Sequence, residues 1–547
     1  MSDTTEQPLI AEAFPPQVLA SDELPPESAP AEPVVGLARS ASILALGNVA
    51  SRVLGLVREV VITHLFGATG SVSAFRLAGR VPFMVYDLLV GGMLSAALVP
   101  VFSDYARPER RTQLWGAASA VCGLIAMALG IIVLLVEAFA PQIAWLLGGG
   151  FDPELQQLLV RMLRLIAPAI LFFGLSGVAT ALLYALKRFT FPAFGAAVFN
   201  LGIVVAVPIL AGRLEVYSLA LGVVLGSIMQ LLLLLPGLRD AHLVPQIDLH
   251  HPALRRIGRL YLPVALGLVV SQIQVAIDGN LASRTGDSSV AWMQNATTLI
   301  QFPHGLVSVA VSLAALPTLS QLAAAGDWDG YKRTLARGLR LVLMLIVPAT
   351  VGLFVLAQPI VRLLFEHGEF TAYDTLWTAR ALRLYLLGLV FASVDWPLYY
   401  AFYARQNTLT PALVGVASVG IYLVVALSLL RPWGMQGLVL ADSAKHAGHA
   451  LITAILLRQA VGRLGGRGIA STGIQSLLVA AVMGAGTWIA ANRLEAVLGT
   501  TGLPARLAVV GGAGATGLAL YISGMAVLRV KELGLIWQAI QQRLQHP

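Results

Sequence analysis

Residues 44–66 read LALGNVASRVLGLVREVVITHLF, and residues 72–102 read VSAFRLAGRVPFMVYDLLVGGMLSAALVPVF. Both are long enough to cross a bilayer, for which about 20 apolar residues suffice. Yet Arg52 and Arg58 sit inside the first stretch, and Arg76 and Arg80 inside the second. An arginine at the centre of a membrane helix costs roughly 2.5–3.5 kcal/mol, so four cost on the order of 10 kcal/mol. That is comparable to the whole stability of a domain. Water or an anion has to offset it. The pattern therefore predicts an all-α polytopic membrane protein with a wet, cationic cavity.

The rest of the chain agrees with that class. Of its 547 residues, 57% are hydrophobic and only 12% charged, against about 25% charged in soluble domains. The apolar runs are continuous, which excludes the alternating strands of a β-barrel. Fourteen spans fit: 41–66, 74–102, 113–140, 158–186, 191–212, 215–238, 259–284, 289–322, 336–358, 375–404, 411–430, 435–458, 472–493 and 505–529. The net charge of +8 comes from loop lysines and arginines. No basic patch is interleaved with stacking aromatics, so no nucleic-acid partner is expected. The single cysteine, Cys122, excludes an internal disulfide. No metal motif is apparent.

Residues 1–40 are rich in Pro, Glu, Asp and Ser, with no basic n-region and no apolar h-region. They read as a disordered acidic tail rather than a signal peptide. Basic residues cluster in alternate loops. Arg107, Arg110 and Arg111, then Lys187 and Arg188, then Lys332, Arg333, Arg337 and Arg340 lie on one side. Arg239, Arg255, Arg256 and Arg259, and later Arg458, Arg463 and Arg467, join them. By the positive-inside rule that side, with both termini, is cytoplasmic.

The chain also repeats itself. ALVPVFSDYA (97–106) resembles AALPTLSQLA (314–323), and APQIAWLLGGGFD (140–152) resembles AQPIVRLLFEHGEF (357–370). LYALKRFTFPAFGAAVFNLGIVV (183–205) resembles FYARQNTLTPALVGVASVGIYLV (402–424). One shared offset of about 217–219 residues implies two six-helix lobes of the same topology, 41–238 and 259–461. Two further helices follow in 472–530, then a cytoplasmic tail, 531–547. Parallel repeats of this kind suggest alternating access with a site between the lobes.

Several ordered motifs resemble the MurJ/MviN family of lipid II flippases, within the multidrug/oligosaccharidyl-lipid/polysaccharide exporter superfamily. They include SRVLGLVRE (51–59), SAALVP (95–100), VSQIQVAID (270–278), QFPHGLVSVAVSLAALPTLS (301–320) and FEHGEFTAYDT (365–375). The resemblance implies a V of two lobes in the bacterial cytoplasmic membrane. Its last two helices would frame a groove for a polyprenyl tail. It implies transport of a lipid-linked pyrophosphate substrate of cell-wall synthesis, with membrane lipids and cell-wall synthesis proteins as partners. No enzymatic constellation of nucleophile and base is visible.

Arginine suits a pyrophosphate because its rigid fork donates bidentate, charge-assisted bonds and does not lose its proton. Ser51, Arg52 and Arg58 match the family's first-helix pattern. Elsewhere the chain departs from it. The usual acidic residue of the second helix falls on Ser73, and its paired arginines fall on Tyr86 and Asp87. The arginine and acid of the eighth helix fall on Thr298 and Gln301. Arg76 and Arg80, on one helix face with Ser73 and Asp87, are expected to substitute for the missing arginines.

Two further clusters are candidates for coupling to sodium or protons. Asp278 lies deep in the seventh span, and oxygen ligands there would suit a hard cation. The resemblance places a cation site near that helix. Asp442, His446 and His449, with Lys445, share a face of the twelfth span. They read as a protonatable relay or as a self-neutralised polar patch. No cofactor is expected, and the membrane potential is an alternative drive, at about 2.3 kcal/mol per charge per 100 mV. The competing readings are export of another polyprenyl-linked glycan, cation-coupled antiport of a small molecule, and a non-transporting scaffold.

Overall fold

The computed structural model describes residues 34–89, 93–244, 272–464 and 468–530, with 248, 254, 256, 257, 532 and 534 besides. Helices make up the described chain. The N-lobe opens with α1 (Val34–Phe66), seven residues earlier than the hydropathy suggests. It continues with α2 (Gly70–Leu89), α3 (Met93–Tyr105) and α4 (Arg111–Ala138). A short α5 (Ala140–Gly148) leads to α6 (Pro153–Ile166), α7 (Ala169–Ala185), α8 (Thr190–Leu214) and α9 (Tyr217–Leu234).

The C-lobe repeats this plan. Its α10 is described over 272–283. Next come α11 (Ser289–Pro303), a π-helical turn (His304–Val309) and α12 (Ala310–Ala324). Then follow α13 (Trp328–Val355), a short α14 (Ala357–Phe365), α15 (Ala372–Ala404), α16 (Leu409–Trp433) and α17 (Met435–Val461). Finally α18 (Ile469–Leu498) and α19 (Leu503–Val527) pack on α13.

Ten described helical stretches are long and apolar enough to cross a membrane. Each coincides with a predicted span. The remaining predicted spans are α1, α2–α3, the span ending in α10, and α17. Of these, α1 and α17 carry charge that lowers their hydropathy, and the other two lie partly outside the described residues. They are also the helices that hold the candidate site residues. Large apolar side chains such as Leu134, Ile209, Val424 and Val482 point outward, as a lipid-facing surface requires. Lobe interiors use small residues for close approach. A Cβ on Gly226 would lie 2.7 Å from the Phe199 carbonyl oxygen, so α8 and α9 meet almost backbone to backbone. The run GGAGATG (511–517) serves packing too, with Gly517 against Thr487 and Met483 of α18.

The repeat holds at the level of backbone angles. The segments α2–α3, α6–α7 and α8 map onto α11–α12, α15 and α16 with a constant offset of 219 residues. Pro168, which lacks an N–H, divides α6 from α7 where α15 runs unbroken. Lys187 (φ 58°) matches Gln406 (φ 57°) at that offset. Glu215 (φ 47°, ψ −133°) matches Gly434 (φ 53°, ψ −131°). This last conformation suits only glycine without strain, and a side chain there costs about 1–3 kcal/mol. Glu215→Gly is therefore expected to raise the unfolding midpoint in detergent, by a net stabilisation of about 1 kcal/mol after the added freedom of the unfolded chain. Gly434→Ala is expected to lower it. The opposite order would refute the strain at Glu215.

Candidate cationic cavity between the lobes

A cavity of about 540 Å³ lies between α1 and α2 of the N-lobe and α10 and α11 of the C-lobe. Arg58, Glu59, Arg76 and Arg80 line one side, and Gln272 and Gln294 the other. A second chamber of about 330 Å³ shares Arg58, Gln294 and Gln301 with it and adds Ser51 and Arg52. All five predicted substrate contacts thus line these two chambers, whose walls share Arg58, Gln294 and Gln301.

The charges within it are paired in a definite order. Glu59 is buried beside two guanidinium groups. Arg58 Nη2 donates to its Oε1 at 2.7 Å, and Arg76 Nη2 lies 2.8 Å from its Oε2. The second contact is ionic, with its angle off the hydrogen-bond direction. The directed bond of Arg76 Nη2 goes to Asn295 Oδ1 at 2.8 Å, on the opposite lobe. Arg58 Nη1 donates to Asn200 Oδ1 at 2.9 Å, and Asn200 Nδ2 donates to the Ser51 carbonyl at 3.2 Å. That amide orients the arginine and ties α1 to α8.

Arg52 and Arg80 reach across the interface. Arg52 Nη1 donates to the Gln301 carbonyl at 3.1 Å. Its guanidinium occupies the place a side chain on Gly305 would take, within the π-helical turn. Such turns widen a helix locally and recur at functional sites. Arg80 Nη1 donates to the Val275 carbonyl at 2.7 Å, and its Nη2 approaches Asp278 Oδ2 at 3.4 Å. Gly279 leaves room for that approach. Tyr422 donates to the other oxygen of Asp278 at 2.7 Å. Two of the cavity's four cationic charges are thus balanced, by Glu59 and Asp278, and two are left over among the described residues.

Glu59, the last residue of the SRVLGLVRE motif, is the carboxylate that Arg58 and Arg76 share. Asp87, on the predicted face of Arg76 and Arg80, has its side chain outside the described residues. Ser73 shares the predicted face but is buried, and its hydroxyl accepts from the Ala291 backbone N–H at 3.3 Å across the lobes. Gln301, standing where the family pattern has an acid, contributes its carbonyl. Asn200 and Asn295 carried no signal beyond being amides in apolar runs.

Asp442, His446 and His449 lie apart from the cavity, inside the C-lobe. Lys445 Nζ donates to Asp442 Oδ1 at 2.6 Å, and His446 Nε2 sits 3.6 Å from its Oδ2. His449 Nδ1 pairs at 2.8 Å with Asp395, a residue the sequence reading passed over. An acid within the apolar run FASVDWPLYY was the available signal.

At the far end of α1 the lobes touch through backbone. The Glu369 N–H donates to the His64 carbonyl at 3.0 Å. Gly67 (φ 64°) and Gly368 (φ 62°) flank that bond. Gly150 N–H donates to Ser283 Oγ at 3.0 Å, and Asn280 Nδ2 to the Leu146 carbonyl at 2.8 Å.

The family model described as lipid II flippase MurJ matches residues 62–508. The chain belongs to this family. A lipid II flippase MurJ of Burkholderia cenocepacia is 32% identical over 388 residues, covering 69% of this chain and 75% of that one. A solved MurJ structure in an inward closed conformation superposes with a TM-score of 0.74 at 23% identity, over 89% of this chain and 98% of that one. An inward-facing multidrug transporter of the MATE family matches less well, with a TM-score of 0.63 at 17% identity over 76% and 95% of the two chains. These likenesses place the fold among two-lobed transporters. The family match begins at residue 62, beyond Arg52 and Arg58, so the case for those two rests on the geometry above.

Proposed function

We propose that this chain carries lipid II, the lipid-linked precursor of peptidoglycan, across the bacterial cytoplasmic membrane by alternating access. The observation that carries the reading is the interlobe cavity with two uncompensated arginine charges, in a member of this family. A doubly ionised pyrophosphate balances that excess. For the apolar tail, the reading is supported by a cleft of about 420 Å³ between α13, α18 and α19, lined by Met344, Pro348, Met483, Leu518 and Tyr521.

The geometry also supplies a route from binding to movement. Arg52, Arg76 and Arg80 all cross from the N-lobe to acceptors on the C-lobe. A pyrophosphate in the cavity competes for the same N–H groups, and charge-assisted bonds to it outrank those to neutral carbonyls. Binding therefore loosens the ties that hold the lobes together. Each arginine bond of this kind is worth about 1.5–3 kcal/mol, or roughly 10- to 100-fold in substrate affinity.

The test is complementation of a strain depleted of its own lipid II flippase. Wild type is expected to restore growth, while Arg52→Ala and Arg58→Ala, expressed to the same membrane level, do not. Failure of the wild type at good expression would point to another polyprenyl-linked substrate. Growth restored by both alanine variants would remove the arginine clamp.

A further inference from the structure

The two walls of the cavity differ in kind. The N-lobe wall carries Arg52, Arg58, Arg76 and Arg80. Every described C-lobe residue that lines either chamber is uncharged: Gln272, Val275, Gln294, Thr298, Gln301 and Phe302. Gln294, Thr298 and Gln301 follow one another at helical spacing, so they stand on one face of α11. Gln272 joins them from α10.

These amides have unused hydrogen-bonding capacity. The side chains of Gln272, Gln294 and Gln301 make no hydrogen bond to a described residue. The main chain of Gln301 is engaged as the acceptor for Arg52, but its side chain is not. Thr298 donates its hydroxyl hydrogen to the Gln294 carbonyl at 2.9 Å, which leaves the oxygen as an acceptor toward the chamber. Unmet amides on a membrane helix are costly. Here they face a cavity, where water or a ligand can meet them.

The two walls suit different chemistry. A phosphate oxygen only accepts, so it belongs with the guanidinium groups. A primary amide presents a donor and an acceptor side by side. Its complement is a neutral group with both, such as a sugar hydroxyl or, at two points, a secondary amide. A sugar joined to a pyrophosphate lies directly beside the phosphates. With those held on the N-lobe arginines, that sugar reaches the opposite wall, and the Phe302 ring adds an apolar surface for its ring face.

We propose that Gln272, Gln294 and Gln301 form a sugar subsite that binds the acetamido group of an N-acetylated hexosamine joined to the pyrophosphate. The subsite rests on the pyrophosphate reading above for its anchor. It makes the carrier selective for the first sugar as well as for the anion.

Three probes with the same tail test this on the full chain in lipid nanodiscs: undecaprenyl pyrophosphate, undecaprenyl-pyrophosphoryl-glucose and undecaprenyl-pyrophosphoryl-N-acetylglucosamine. The two sugar probes differ only in a hydroxyl against an acetamido group. The acetamido probe is expected to bind about tenfold tighter, the factor that one or two neutral hydrogen bonds supply. Gln294→Met combined with Gln301→Met keeps the side-chain length and removes the amides. It is expected to bring the two sugar probes within about twofold of each other, a difference of a few tenths of a decade. Undecaprenyl pyrophosphate, held by the arginines, keeps its parent affinity, which a misfolded variant would not show. Arg58→Ala weakens all three probes alike. If the double variant does not purify as a monodisperse protein, Gln294→Met alone, which lines both chambers, decides by the same comparison. Equal binding of the two sugar probes by the parent, a preference that survives in the methionine variant, or an equal loss of all three probes there overturns the subsite. A chain that fails to complement yet prefers the acetamido probe would lose lipid II as its cargo and keep the subsite. One that complements without that preference would keep lipid II and lose the subsite.

Discussion

Glu59→Gln is expected to cost the protein both its stability and its transport. The carboxylate is buried, and it receives a hydrogen bond from Arg58 at 2.7 Å and the ionic contact of Arg76 at 2.8 Å. An amide of the same shape keeps the volume and removes the charge. It also turns an N–H₂ group toward guanidinium donors, so donor faces donor. Arg76 is itself buried, with side-chain exposure of only 7%. Breaking a buried ion pair by removing one partner costs about 3–5 kcal/mol. That is a large share of a typical stability of about 5–15 kcal/mol. The unfolding midpoint in detergent is expected to fall by many degrees, and complementation to fail. A second substitution separates the causes. Glu59→Gln with Arg76→Met removes the pair together, which is often neutral for stability, and leaves the cavity's excess of two positive charges unchanged. Stability is expected to return in the double variant. Transport returns with it if Arg76 only holds Glu59 in place, and stays lost if Arg76 also holds the anion. A Glu59→Gln protein as stable and active as wild type would refute the shared-carboxylate account.

Most of the fold was legible because its signals are long and repeated. Ten apolar runs survive as spanning helices, and the internal repeat extends to matched φ values at Lys187 and Gln406. The cavity was legible from cost alone, since arginines in apolar runs demand a compensating environment. What the sequence did not give is how that compensation is divided. Nothing local says that Arg58 turns to Asn200, that Arg76 crosses to Asn295, or that Asp278 takes Arg80 rather than Arg284. Those choices depend on how two lobes far apart in sequence meet. The interlobe seal was equally silent, because it is made by main-chain groups and by glycines whose conformation only the assembled lobes require. Arg405 caps α15 at its C-terminal end and lies over Trp328 at 5.5 Å. Such local punctuation survives folding because it depends on neighbours in the chain.

Gly368→Ala is expected to shift the lobes apart at the α1 C-terminal end and to stop transport. Gly368 lies in the left-handed region at φ 62°, where an L side chain costs roughly 1–2 kcal/mol. A methyl group there would also land on the His64 carbonyl oxygen, inside any van der Waals separation. That same carbonyl accepts the Glu369 N–H at 3.0 Å, so the seal is broken along with the fit. Backbone cannot move aside as the end of a flexible side chain can. The clash is therefore relieved by parting the lobes, which also loosens the apolar contacts they share at this end. A penalty of about 3 kcal/mol confined to the closed arrangement changes the ratio of closed to separated populations by more than 100-fold. Spin labels at Gln157→Cys and Tyr373→Cys, exposed positions on opposite lobes, in a Cys122→Ser background read the shift directly, and normal thermal stability of the variant would assign it to the interface rather than to misfolding. Because alternating access needs both arrangements in turn, complementation is expected to fail although every cavity arginine is present. Gly326→Ala is the control, since Gly326 is also left-handed, at φ 71°, but has open space around it. It bears the strain without the clash, and its lobes are expected to stay closed. An unchanged distance distribution in Gly368→Ala would show that the His64–Glu369 contact does not hold the lobes together.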